Sequence, residues 1–405
     1  MARRYGISPW IHEFPHSRIP AFPRYRGDRT ADVVIVGGGL TGCAFAYACA
    51  VAGLDTVLLE QERIGRGRSG RSAGLMSPEP GPSFRDISGA YGLKAARRVF
   101  EMWRRGALDG AALIRRLGIK CQLAPREELV VAGGDDERML RREYDARRAA
   151  GLGVVWLTQK QIQARMGLDA AGGMKLSDAF ALDPYRACIG LAVEASRRGI
   201  AFFEHSAVRK VRFTRKFADV IGETGTIRTR KVIVSTGTAT AEFKSLQRHL
   251  GRREAYLVMT EMLPAVMRRQ LGDSGIVLRD AQRPPNVIGH THDERLIVAG
   301  GDQKETPVRT RPAVLVQRTG QLMYEALKRY PVISGLQPDY GWEVVYGQTA
   351  DGLMYIGPHR NYPHHVFALG GNATSVTGAF VAARLLARAV QDATEKTDQV
   401  FAWTR

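Results

Sequence analysis

The sequence predicts an α/β fold, α+β overall: a Rossmann-like domain interleaved with a second domain on a mostly antiparallel sheet. Two observations carry this. Residues 31–60 read as strand, glycine turn, helix, strand and terminal acid, the pattern of a βαβ unit. Buried-strand patterns of that kind return at 231–237 and 365–371, whereas the apolar runs at 255–261 and 295–301 belong to a different sheet. At 405 residues the chain is long enough for two domains or one large composite. The expected division is an N-terminal extension over 1–29, a discontinuous nucleotide domain over 30–83, 178–244 and 341–405, and a discontinuous substrate domain over 84–177 and 245–340.

The extension is rich in proline, aromatics and charge. It should lie extended over the surface, anchored by Trp10, Phe14 and Phe22. Residues 32–36 form a short β-branched run suited to a buried parallel strand. Gly37, Gly39 and Gly42 follow with G-x-G-x-x-G spacing. Gly37 allows a sharp turn, Gly39 admits a pyrophosphate close to the backbone, and Gly42 lets helix and strand pack closely. The phosphates would sit at the helix N-terminus, where free N–H groups and the dipole favour anions. Glu60 ends the second strand, 56–59, and places a carboxylate where an adenosine ribose would offer its hydroxyls.

Further along, 84–117 shows helical periodicity, with Phe100, Trp103, Leu108 and Leu113 on one apolar side. Residues 128–132 read as a strand and 138–150 as a charged helix. Asp183-Pro184 opens a helix that stops at Gly199. Apolar β patterns occupy 201–204, 342–357 and 365–371, and 379–390 is an alanine- and leucine-rich helix.

Composition narrows the function. Hydrophobic residues make up 44% of the chain, enough for a full core. Apolar runs fall well short of the ~18–20 residues a membrane-spanning helix needs. No apolar signal core follows Arg3 and Arg4, so the cytoplasm is the expected compartment. Cys43, Cys49, Cys121 and Cys188 form no C-x-x-C pair and read as small buried hydrophobes. No spacing of Cys, His and acids suggests a metal site. The net charge of +19 raises a nucleic-acid partner, but 48 of the 59 basic residues are arginines, dispersed as pairs such as Arg97–Arg98 and Arg141–Arg142 on amphipathic helices. That dispersal argues against nucleic acid.

After Glu60 the chain runs into Gly65-Arg66-Gly67-Arg68-Ser69-Gly70-Arg71-Ser72-Ala73-Gly74-Leu75. A small, polar, glycine-crowded loop suits a backbone lying against a flat ring and its phosphate chain. With this loop, the 33–42 motif, Leu182-Asp183-Pro184, the 232–237 strand, Thr349 to Gly357 and Leu369-Gly370-Gly371-Asn372, the sequence resembles the D-amino-acid oxidase superfamily of FAD-dependent amine oxidoreductases. The resemblance is to the glycine oxidase, sarcosine oxidase and γ-glutamylputrescine oxidase branch and spans about 32–390.

The resemblance implies a FAD-binding domain of three-layer β/β/α organisation and non-covalent FAD. Gly37, Gly39, Leu40, Thr41 and Gly42 would hold the pyrophosphate; Glu60, with Gln61 and Arg63, the adenosine half. Gly67, Arg68 and Ser69 would follow the ribityl chain, and Arg71, Ser72, Ala73, Gly74 and Leu75 would border the isoalloxazine. Val208 would meet the adenine edge, and Thr236 and Gly237 would close over the adenosine. Gly371, Asn372, Ala373, Thr374, Ser375 and Val376 would meet the pyrimidine edge, where the last helix's N-terminal dipole favours the negative charge of reduced flavin.

The implied reaction is oxidation of the C–N bond of a primary or secondary amine or amino acid. Hydride passes to flavin N5, the imine is hydrolysed, and oxygen or an electron carrier takes the electrons. Tyr256, His290 and Tyr346 are the candidate substrate residues. Valine at 344 stands where sarcosine oxidases carry a flavin-linking cysteine, Ile297 stands near their oxygen-activating lysine, and glycine oxidase's carboxylate-binding arginine has no clear match in 372–375. Two other readings are a tRNA-modifying flavoenzyme of the same fold and a non-catalytic flavin-binding relative.

Overall fold

The protein is described by a computed structural model covering residues 3–132, 136–372 and 375–405. Two sheets organise it. The first has eight strands, ordered Tyr355–His359, Tyr362–Leu369, Thr226–Gly237, Arg29–Val36, Thr56–Leu59 and Ala201–Phe203, with Ala218–Ile221 and Lys210–Phe213 added beside Thr226–Gly237. Its centre is parallel: Val33 to Val36 lie between Lys231 to Val234 on one side and Thr56 to Leu59 on the other. Alternation along each strand sends Val33, Ile35, Leu58 and Ile233 to one face, against the helices Leu40–Val51, Pro184–Ser196 and Thr377–Val390. Val34, Val57, Val232 and Val234 point to the other, against Val211, Ala218 and Val220 of the small antiparallel strands. This is the three-layer β/β/α arrangement.

The second sheet has ten strands and is mostly antiparallel. Strands Pro338–Gln348, Gly251–Met262, Arg295–Lys304, Val287–His290, Ile276–Asp280, Ala124–Ala132 and Gly172–Ala181 follow one another across it. One face carries Tyr256, Val258, Leu296 and Val298 and packs on the helix Arg311–Arg329 through Leu315, Leu322 and Ala326. The opposite face carries Ala255, Leu257, Val277, Ile297 and Trp342, and meets Ala73 and Leu75 of the glycine-rich loop.

The structure departs from the sequence expectations in three places. The periodic stretch 84–117 is two helices, Phe84–Tyr91 and Leu93–Arg116, broken at Gly92, whose φ of +84° no helix accepts. The strands Pro338–Gln348 and Gly172–Ala181 pair within the antiparallel sheet, although the expected boundaries assigned 341–348 and 178–181 to the nucleotide domain. Hydrogen-bonded pairing decides sheet membership, and the sequence does not encode the partner. The extension is also more than a surface strap. Arg4–Tyr5 adds a parallel strand to Pro338–Gln348, Pro9–His12 is a short helix, and Phe14 is buried in the main core. Phe22 stacks on Phe202, with ring centroids 5.1 Å apart.

Candidate active site at the junction of the two sheets

The glycine turn joins the strand Arg29–Val36 to the helix Leu40–Val51. Gly37 sits at φ +108°. At Gly42 a side chain is excluded by contact, since a Cβ would lie 2.1 Å from the Gly37 carbonyl oxygen and 2.9 Å from Ser235 Oγ. The first turn of this helix therefore stands hard against the strand end with its N–H groups directed outward. Ser69 Oγ accepts the Leu40 N–H at 2.8 Å, which draws the glycine-rich loop across the helix N-terminus. Glu60 accepts from the Gly38 N–H at 2.7 Å and the Glu62 N–H at 2.9 Å. Burial raises its carboxyl pKa, opposed by these two donors.

Arg68 bridges the two ends of the cradle. Its guanidinium donates to the Gly370 carbonyl at 3.0 Å and lies beside Gly237 and Gly371. Among the described residues no carboxylate lies within salt-bridge distance of it, and burial lowers its pKa. An unpaired, desolvated cation beside a helix N-terminus is costly unless an anion answers it. These residues fit the diphosphate of a dinucleotide.

A cavity here is lined by Leu40, Thr41, Arg68, Ser69, Ser72, Gly371, Asn372, Ser375 and Val376. These nine are among the residues expected at the cofactor; Pro80, Trp103, Gly352, Met354, Gly378 and Ala379 line the cavity as well and were not. Gly37, Gly39, Gly42, Thr236 and Gly237 stand at the neighbouring strand ends and helix start without lining the cavity, and Gln61, Arg63 and Gly67 are exposed. Val208 follows Ser206, whose N–H donates to the Glu60 carbonyl at 2.8 Å. Ser375 closes the far end. Its hydroxyl accepts the Ser77 N–H at 3.3 Å, and its N–H donates to Asn372 Oδ1 at 2.8 Å. Thr377, first residue of the last helix, donates to the Ser77 carbonyl at 2.7 Å. The helix dipole is thereby fixed on the loop. Ala373 and Thr374 lie outside the described residues.

Arg71 belongs to the loop by its backbone, whose carbonyl accepts the Trp342 indole N–H at 2.7 Å. Its side chain turns away to the Glu343 carboxylate at 3.3 Å and the Gly6 carbonyl at 3.3 Å. Gly74, at φ +71°, turns the chain into the short strand Leu75–Met76.

A second cavity lies across the loop. Ala73 and Leu75 form one wall, and Val277, Val287, Gly289 and Ile297 of the antiparallel sheet form another. His290 and Arg126 are at its rim, and Trp10 closes one side, its indole N–H donating to the Ser72 carbonyl at 2.9 Å. Burial, helped by the charge of Arg126, pushes the His290 imidazole down to about 4, so it is neutral at pH 7.

Of the three candidate substrate residues, the structure brings His290 to this cavity. Tyr346 shares the loop-facing side of the sheet, its hydroxyl donating to Asp302 at 2.5 Å, but it does not line the cavity. Burial raises its pKa. Tyr256 is a correction. It lies on the other face, fully buried against the helix Arg311–Arg329, with its hydroxyl donating to Glu254 at 2.8 Å. Residues 255 and 257 are the ones that face the loop. Trp10 and Arg126 were missed as site residues; Trp10 had been read only as an anchor.

Comparison with known proteins fits this geometry. The family model "FAD dependent oxidoreductase" (DAO) matches residues 32–389, and the chain belongs to that family. It is 27% identical to the γ-glutamylputrescine oxidoreductase of Escherichia coli K12 over 376 residues, covering 91% of this chain and 85% of the relative. It is 24% identical to the glycine oxidase of Bacillus subtilis, covering 84% and 88%. The glycine oxidase structure from Geobacillus kaustophilus superposes with a TM-score of 0.75 at 20% identity, covering 93% of this chain and 99% of that one. The protein is thus a FAD-dependent oxidoreductase. Among the described residues no group of His, Cys, Asp and Glu is placed to hold a metal ion, and no helix is long and apolar enough to cross a membrane.

Proposed function

We propose that the protein oxidises the C–N bond of a primary or secondary amine or amino acid in the cavity bounded by Ala73, Leu75, Val287, Ile297 and His290. The observation that carries this reading is the position of that cavity. Ala73 and Leu75 of the glycine-rich loop line it together with the antiparallel sheet, while Arg68, Ser69 and Ser72 of the same loop line the first cavity. FAD, when bound, supplies the hydride acceptor.

The chain's own residues do the rest. The helix Leu40–Val51 and Arg68 would hold the diphosphate, and Glu60 the ribose hydroxyls. The N-terminus of the helix Thr377–Val390 would supply partial positive charge to the reduced cofactor, at about 0.3–1 kcal/mol or more when buried. The apolar walls exclude water and keep an amine nitrogen neutral, the form whose neighbouring C–H releases hydride readily. His290, itself neutral, adds no competing positive charge. Released imine hydrolyses in water, so no strong acid–base pair is needed.

Names of relatives support the substrate class: the relatives reported above act, by name, on γ-glutamylputrescine and glycine. The test is product analysis. FAD-loaded protein is incubated with a panel of amines and amino acids and an artificial electron acceptor. The reading expects a carbonyl product with equimolar ammonia or amine from at least one compound. Turnover confined to alcohols or hydroxy acids would contradict it.

A further inference from the structure

A third cleft, of about 1180 Å³, lies where the edge strand Tyr355–His359, the helix Thr377–Val390 and the segment 394–405 meet. It is as large as a small-molecule site, typically ~300–1,000 Å³. It shares no lining residue with the cofactor cavity or with the second cavity. Ile356, Leu385, Ala389 and Val400 supply apolar lining.

The charge in this lining is one-sided. Its two acids are taken: Glu395 meets Arg98 at 2.9 Å and Arg388 at 2.8 Å, and Asp398 meets Arg388 at 3.1 Å. Arg405 is answered by Asp351 at 2.7 Å. Lys94, Arg248, Arg360 and Lys396 also line the cleft, and none has a carboxylate within salt-bridge distance among the described residues. Exposed cations are ordinary one by one, but here their fields converge. His359 is held below its ordinary pKa by burial first, then by His249, Arg360 and Arg248, and no acid pulls the other way. Burial and Arg248 do the same to His249.

Between these two imidazoles sits Trp403, nine-tenths buried and stacked on Tyr355 with ring centroids 4.4 Å apart. Its indole N–H has no partner. A buried donor is normally paired, and one left open in a positive cleft calls for an acceptor from outside the chain.

We propose that this cleft binds a small organic phosphate, with its phosphate on Arg248 and Arg360 and its apolar part along Ile356, Leu385 and Val400. A phosphate carries close to two negative charges and three acceptor oxygens, which suits two guanidinium forks, and the lysines add charge. The site is independent of the amine-oxidation reading, since neither reaction cavity takes part in it.

The experiment is calorimetric titration of the FAD-loaded holoenzyme, in which the dinucleotide cradle is already filled. The probes are ADP and phenyl phosphate. Adenosine and phenol are the uncharged controls, and inorganic pyrophosphate and phosphate are the anions alone. The double variants Arg248→Gln/Arg360→Gln and Arg248→Lys/Arg360→Lys are titrated in parallel, with melting temperature and flavin content confirming the fold. Both arginines are exposed and lie outside the reaction cavities, so amine turnover should be unchanged. The proposal expects at least one organic phosphate to bind saturably, more tightly than its uncharged control and than its inorganic counterpart. Affinity should fall about 10- to 100-fold in the glutamine variant, with part retained in the lysine variant. In wild type it should weaken as sodium chloride is raised. Binding of neither probe, equal affinity for a probe and its uncharged control, no gain over the inorganic anion, or full affinity in the folded glutamine variant would overturn it. A protein that binds the phosphate through these arginines yet oxidises no amine keeps the site and loses the amine reading; the converse result does the opposite.

Discussion

Gly42 shows how tightly one residue is constrained. A methyl group there would enter the Gly37 carbonyl, which is backbone and cannot swing aside. Gly42→Ala must push the first turn of the helix Leu40–Val51 off the strand end. The expected cost is about 1–3 kcal/mol of stability, together with loss of FAD, read as a lower melting temperature and a lower flavin-to-protein ratio. His290 makes a prediction in pH. Burial and the neighbouring Arg126 hold its imidazole near 4, against an ordinary value of 6.5. Between these values the unfolded chain binds the proton and the folded chain does not, so stability falls as pH drops through that window. His290→Asn should flatten that part of the stability–pH curve, measured by denaturant unfolding from pH 7 to 4. An unchanged slope would show that His290 is not held neutral.

At the scale of elements, the N-terminal arm changes meaning once it is seen in place. Its anchors were legible as isolated aromatics in a proline-rich stretch. Their destination was not, because a parallel pair between Arg4–Tyr5 and Pro338–Gln348 joins residues more than 300 positions apart. Trp10 ends at the second cavity with its indole N–H on the Ser72 carbonyl of the glycine-rich loop. Trp10→Ala should cost about 1–3 kcal/mol, less than a fully buried tryptophan, and should raise KM for substrate more than it lowers FAD content. A mutant with unchanged kinetics would make the arm a strap and nothing more. The βαβ unit was readable because every local signal agreed: β-branched run, glycine spacing, helix and closing acid. Tyr256 was misread because alternation along Gly251–Met262 shows which residues share a face and not which face meets the loop: Tyr256 and Val258 pack on the helix, and Ala255 and Leu257 face the loop. Arg126 carried no signal at all, being one arginine among 48.

Across the whole molecule, part of the positive charge is answered locally. Many surface arginines are spent locally, in helical pairs such as Arg105–Asp109 and Arg198–Glu194 or in strand pairs such as Arg228–Asp219. Such exposed pairs add little stability, typically about 0–1 kcal/mol each, but each sets a carboxylate beside its arginine. The account therefore expects no steeply salt-dependent complex with transfer RNA at physiological ionic strength, tested by titrating labelled RNA at two salt concentrations. A tight complex with a steep log–log slope would revive the RNA-modifying reading. The two sheets divide the work. The parallel one, through its glycine turn, would present a helix N-terminus to the cofactor's diphosphate, and the antiparallel one walls a cavity against Ala73 and Leu75 of the loop.

That division leads to one decisive measurement: anaerobic mixing of the FAD-loaded protein with a panel of amines and amino acids, followed at the flavin's own band near ~450 nm. The account predicts that at least one amine or amino acid bleaches the band. A band that every amine leaves intact, while dithionite removes it, would contradict the central claim.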